Sequence, residues 1–292
     1  MRKKSNKIST IIFIIMLILG LSVMLYPTIS DWWNSKVQSY AVAGYQEAVA
    51  NLDDGESMRM LLEAEEYNKR LAELYSPLSD YDELDGYDDI LNISGTGIMG
   101  FITIPVINVE LPIYHGTSAE VLNVAAGHLQ GSSFPIGGEN THAVISAHRG
   151  LPSAKLFTDL DRLVVGDTFT ITILDTVYTY EVEEILIVKP EEVDKLAIIS
   201  GGDYVTLMTC TPYGINSHRL LIRSHRTATV YEAAEVKVTA DAVQVDPMLV
   251  VPLICAPLII LLLAFWIFGG RRKTRSTAEM MKELIPDKKD GE

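Results

Sequence analysis

The chain has 292 residues, 48% of them hydrophobic, and 24 Lys+Arg against 38 Asp+Glu give a net charge of −14. Such acidity excludes a binder of nucleic acid or anionic lipid that works by general electrostatics. Two cysteines exclude an internal disulfide framework. No CxxC, HExxH or EF-hand spacing is present, so neither a metal nor a cofactor is expected.

The chain opens with Arg2, Lys3, Lys4 and Lys7, followed by an apolar run from Ile8 to Tyr26. In a helix at about 1.5 Å per residue this run reaches across a hydrocarbon core of roughly 30 Å. The basic flank places the N-terminus in the cytoplasm, and Trp32 and Trp33 fall where an outer interfacial pair belongs. A cleaved signal peptide is the alternative; no clear Ala-x-Ala site directly follows the run, and Thr28-x-Ser30 is a weak candidate. Residues 1–30 are therefore read as a basic start and a transmembrane helix.

Residues 31–96 are expected to be helical and then loop. Val37, Tyr40, Ala41, Ala48, Val49 and Leu52 recur at three-to-four spacing. Asp53-Asp54-Gly55-Glu56 breaks the pattern, and Ser57 is expected to cap a second helix holding Met58, Leu61, Leu62, Leu71 and Leu74. Ser76 to Asn92 is acidic and broken by Pro77 and Gly86, which predicts an irregular loop.

From residue 97 the pattern turns to strands. Gly100–Pro105, Val109–Tyr114, His142–His148, Thr168–Leu174, Val177–Val188, Tyr204–Thr209 and Leu220–Ser224 are the candidates. Ser118–Ala126 and Ala154–Leu163 read as short helices between them. The expected fold is mainly β, a closed barrel over 97–230 with short helices. A linker, 231–247, leads to a second apolar run, 248–268, which Arg271, Arg272, Lys273 and Arg275 follow. That run is read as a second transmembrane helix and 269–292 as a cytoplasmic tail. Pro27 to Pro247 then lies outside the cell; it holds 33 acidic and 13 basic residues, a net of −20.

Within that exterior part Cys210 is the only cysteine, and Cys255 sits in the second apolar run. Cys210 ends one strand-like run, and Arg219 opens the next after the turn Pro212-Tyr213-Gly214-Ile215-Asn216. A thiol and a guanidinium at such positions would face each other at one edge of the sheet. That suits a cysteine nucleophile with a cation for developing negative charge. A thiolate needs a nearby base or cation. His115, His128, His142, His148, His218 and His225 are all available, and composition does not choose among them. His148 closes a strand and precedes a turn; His142, an even offset away, shares its face. His218 and Arg219 point oppositely, so only one of them faces Cys210.

At these residues the sequence resembles the sortases, cysteine transpeptidases of Gram-positive cell surfaces. Thr206-Leu207-Met208-Thr209-Cys210 matches the Thr-Leu-x-Thr-Cys signature, Arg219 the family arginine, and His148 within SAHRGLPSAKLFTDL the family histidine. The similarity extends from about Gly97 to Arg226. CTPYGINSHRLLIRSHR and the histidine region are most similar to class C, the pilin-polymerising sortases. The resemblance implies that Cys210 cleaves the Thr–Gly bond of a Leu-Pro-x-Thr-Gly-like sorting motif, forming a thioacyl enzyme. Arg219 and backbone N–H groups near Thr209 would hold the oxyanion or position the substrate, and His148 would protonate the leaving amine. A pilin lysine would then take the acyl group. Attachment of surface proteins to peptidoglycan precursors is an alternative, and a non-catalytic, membrane-tethered binding module a second. Class C enzymes often carry an Asp-Pro-aromatic lid. Ser76-Pro77-Leu78-Ser79-Asp80-Tyr81 lacks that triplet, and Ser76, Pro77, Asp80, Tyr81 and Tyr87 are the candidate lid residues.

Overall fold

The computed structural model describes residues 2–93 and 95–229, with side chains from residue 11 onward. The linker, the second apolar run and the tail read from the sequence lie outside these residues.

One long helix, α1 (Arg2–Ala50), carries Pro27 inside it. An 18-residue window of its apolar half, within the stretch that starts at Ile11, has a mean hydropathy of 2.4, and Phe13, Met16, Leu19 and Val23 are exposed. By length and composition it is long and apolar enough to cross a bilayer. The half beyond Trp33 docks on the rest of the fold. Asn34 donates to Ser153 O at 2.7 Å, and Val42 and Tyr45 pack on Ile98 and Phe101. The Tyr45 hydroxyl donates to Met99 O at 2.9 Å and accepts from Leu174 N at 2.7 Å, so burial raises its pKa without leaving it unpaired.

The second helix, α2 (Asp54–Glu73), starts earlier than the sequence reading placed it. Asp53, not Ser57, is the N-cap and accepts from Glu56 N at 2.8 Å. Met60, Ala64, Tyr67, Asn68 and Leu71 form its buried stripe. Asn68 holds both backbone groups of Phe134, donating to its carbonyl and accepting from its N–H. The segment expected as an irregular loop contains the short helix α3 (Pro77–Asp80) and a 3-10 turn, Tyr81–Glu83. Pro77 sits where a helix start tolerates proline. The Asp80 carboxylate accepts from Ser76 N at 3.0 Å.

The strands are β1 (Ile98–Ile104), β2 (Val109–His115), β3 (Ala126–His128), β4 (Thr141–Ser146), β5 (Thr168–Ile173), β6 (Thr176–Val188), β7 (Asp203–Thr211) and β8 (His218–Thr227). They close into a barrel in the order β1-β2-β3-β4-β7-β8-β6-β5. Closure leaves no free edge. β2–β3 and β4–β7 are parallel, and the other neighbours are antiparallel. Ile102, Ile113, Ile145, Phe169, Ile171, Val205, Leu207 and Ile222 belong to the main core. The other face of β4, β7 and β8 carries a second apolar cluster of Val144, Leu196 and Leu221, against which Leu129 and Met208 pack. Of the two expected helices between strands, the first shrinks to α4 (Ala119–Leu122) and the second to a 3-10 turn, Leu160–Arg162.

His128 on β3 is fully buried. Its Nδ1 meets the Tyr87 hydroxyl at 2.9 Å and its Nε2 meets Ser133 O at 2.8 Å. Desolvation by burial pushes its pKa down to about 4. The unfolded chain takes up that proton near 6.5, whereas the folded chain resists until about 4. This contribution to stability is full above pH 6.5 and is lost as pH falls toward 4, by up to about 3 kcal/mol. Chemical unfolding of the chain in detergent micelles at stepped pH should show that slope. His128→Gln should lower stability at pH 7 and flatten the slope over this window; equal slopes would refute the assignment.

Candidate active site

β7 pairs with β8 so that Cys210 stands opposite Arg219. β7 also runs parallel to β4, with Ser146 level with Met208. Ala147 N extends the ladder by one bond to Met208 O at 3.2 Å, and His148 follows directly beyond the end of β4. Neighbouring strands lie about 4.8 Å apart. His148, Cys210 and Arg219 therefore form a row of residues across three consecutive backbones, with Cys210 on the middle one. Side chains alternate along a strand, and Cys210 shares its face with Met208 and Thr206.

A cavity of about 250 Å³ lies over this row, lined by His148, Cys210 and Arg219 together with Thr117, Leu122, Ser146 and Met208. All three side chains are partly exposed. The Arg219 guanidinium donates to Asn216 O at 3.3 Å and His218 O at 3.2 Å. Among the described residues it makes no ion pair, which leaves its charge available to a substrate oxygen. Cys210 is a free thiol. A larger groove, about 1180 Å³, opens between α2 and the loops 136–141 and 197–200. Of the candidate residues only Pro77 lines it, so volume does not mark the chemistry here.

The fold sorts the histidines. β4 ends at Ser146, short of His148, so the expected strand to His148 is cut by two residues; His142, within β4, is buried, with Nδ1 at 2.8 Å from Ala197 O and Nε2 at 2.7 Å from Thr206 Oγ1. Burial lowers its pKa. His115 faces the carbonyls of Gly97 and Ile90, His218 meets Ser217, and His225 approaches Glu183. Only His148 lines the cavity with Cys210.

Thr209 points the other way from Cys210. Its buried hydroxyl donates to Ala147 O at 2.8 Å, tying β7 to the end of β4, so its part in the cavity wall is not played by a free hydroxyl. The lid candidates divide. Ser76, Pro77 and Asp80 form and cap α3, and Leu78 of that helix packs on the same apolar cluster as Met208. Tyr81 and Pro77 press on Gly131, where an added Cβ would come within 2.8 Å of the Tyr81 ring. Tyr87 is a core residue whose hydroxyl accepts from Gly116 N at 2.9 Å. None of these five side chains lines the cavity around Cys210. Sequence reasoning missed Leu78, whose signal was an apolar residue inside an acidic segment.

A closed barrel bearing a thiol, an imidazole and a guanidinium in one row has the arrangement of a cysteine acyltransferase. The sortase-domain family model matches residues 102–227. Sortase C1 from Streptococcus agalactiae is 47% identical, with a TM-score of 0.59 over 65% of this chain and 98% of that one. Sortase C from Clostridium perfringens, solved with the C-terminal cell wall sorting motif, is 43% identical, with a TM-score of 0.58 over 65% and 99%. Sortase A from Streptococcus agalactiae serotype III is 35% identical over 117 residues, 39% of this chain and 47% of that protein. The chain spans about half the length of the curated relatives it matches. The chain belongs to the sortase family, the cysteine transpeptidases, and its structural neighbours are of class C.

Proposed function

We propose that this chain is a membrane-anchored transpeptidase that polymerises pilins. The observation that carries the reading is the row His148, Cys210, Arg219 in one cavity wall. The Cys210 thiolate attacks the Thr carbonyl of a Leu-Pro-x-Thr-Gly-like motif. Arg219 and backbone N–H groups hold the resulting oxyanion. His148 protonates the departing glycine amine, leaving a thioacyl enzyme. The thioester retains much of the energy of the cut bond, and a lysine amine of a second pilin displaces the sulfur to give an isopeptide bond. A related sortase C solved with a sorting motif supports this substrate class. Helix α1 and the run 248–268 anchor the enzyme, with both termini cytoplasmic and the barrel outside.

The test is to incubate the full chain, in detergent micelles, with a sorting peptide and either a lysine peptide or a cell-wall cross-bridge amine, and to weigh the products. An isopeptide to lysine supports the reading. A product with only the cross-bridge amine would make it a cell-wall anchoring enzyme, free acid alone a hydrolase, and no cleavage a binding module.

Residues 76–92 act as a lid in this reading, with Leu78 as the anchor on the outer face of the barrel. Leu78→Ser removes that burial while leaving Tyr87 in the core. It should speed thioacyl formation by up to about tenfold, the scale set by burying one leucine. Stopped-flow acylation measures it, and an unchanged rate would count against a lid.

A further inference from the structure

His148 sits on a loop, not a strand, and a loop must be held if an imidazole is to stay within reach of a neighbouring group. Up to Ala147 the β4–β7 ladder does this. Beyond it, Phe157 N donates to His148 O at 3.1 Å and Gly150 N donates to Thr158 Oγ1 at 3.1 Å. Both bonds tie the loop to the segment that follows it, and neither ties it to the strand that carries Cys210.

Arg149 does. Its side chain is only 10% exposed. One terminal nitrogen binds the Asp161 carboxylate on the 3-10 turn, and the other donates to Thr211 Oγ1 at 3.4 Å. Thr211 directly follows Cys210. Among the described residues this is the one side-chain hydrogen bond from the loop after Ala147 to β7. The same guanidinium keeps a buried Nε without a partner. A buried, incompletely paired charge is a poor device for stability, and well-packed apolar residues often do better. What a planar fork does well is fix the distance between two partners, a task a lysine ammonium performs less well.

We propose that Arg149 is a positioning residue: by gripping Asp161 and Thr211 it sets the separation of the His148 imidazole from the Cys210 thiol. The inference rests on the reading of Cys210 as nucleophile and His148 as its proton donor. Proton transfer demands hydrogen-bond reach, and a shift of about 1 Å can lower a rate by 10²-fold.

The full chain in detergent micelles is given a fluorogenic Leu-Pro-x-Thr-Gly peptide, and kcat, KM and the pH profile of acylation are recorded beside the rate of Cys210 alkylation by iodoacetamide. Arg149→Gln should lower kcat by about 30-fold or more with KM within twofold. Its alkaline limb should flatten, because the rate no longer depends on a protonated imidazole, while alkylation stays within about threefold of wild type. Arg149→Lys should recover only part of the loss. Asp161→Asn, which leaves the loop in place with a weakened grip, should show the same flattening and carries the test if Arg149→Gln does not fold. A kcat within threefold of wild type, or a loss matched by alkylation with an unchanged pH profile, overturns the proposal. Wild-type chain that forms no thioacyl enzyme overturns the functional reading itself, and this inference with it.

Discussion

Cys210→Ala is expected to leave no thioacyl enzyme at all, and sorting-peptide turnover at least about 10⁴-fold below wild type. The reasoning is chemical. Cys210 is the only thiol among the described residues and the only nucleophile flanked by both an imidazole and a guanidinium. A methyl group in place of the sulfur leaves the oxyanion donors and the substrate cavity intact, so peptide binding should survive. Removing a half-exposed thiol from the outer face of β7 breaks no hydrogen bond and opens no core void, so the fold should survive as well. Intact mass after mixing with the peptide reads the adduct, and fluorescence anisotropy reads binding. Binding without adduct is the expected pair of results. Turnover above about 1% of wild type in Cys210→Ala would place the nucleophile elsewhere.

Why Cys210 and Arg219 were legible in the sequence as a candidate pair, and other parts were not, is a matter of range. Cys210 and Arg219 are close along the chain, each at the end of an apolar run, so hairpin pairing brings them opposite one another from local pattern alone. His148 is 62 positions from Cys210, and pattern left it one of six histidines. The family resemblance chose it, and in the fold the parallel β4–β7 pairing carries it to the Cys210 cavity, a long-range fact that no local periodicity encodes. β3 was invisible for a similar reason. Ala126-Gly127-His128 is too short to alternate, and its tie to β2 is parallel, which needs a crossover instead of a turn. The fold of 76–92 was misread because Pro77 counts as a breaker in a window, yet it serves as the first residue of α3. Arg149 carried no signal beyond its place beside His148, since Asp161 and Thr211 meet it only when the barrel closes.

His148→Ala is expected to abolish detectable thioacyl formation from a peptide, and a second substrate shows which proton the imidazole handles. An amine is a poor leaving group unless it is protonated, so without an acid the tetrahedral adduct on Cys210 returns to peptide and thiol. General acid catalysis is typically worth 10²–10⁴-fold. His148 lines the cavity beside Cys210 while the other five histidines are engaged elsewhere, so no neighbour is placed to substitute for it. An activated ester of the same sorting sequence departs as a stable anion and needs no proton. His148→Ala should therefore acylate from that ester within about tenfold of wild type, while the peptide remains uncut. Rapid-quench measurement of the adduct from each substrate separates the two roles. If the ester fails along with the peptide, the imidazole is required to generate the thiolate, and the assignment of His148 as the acid for the leaving amine falls.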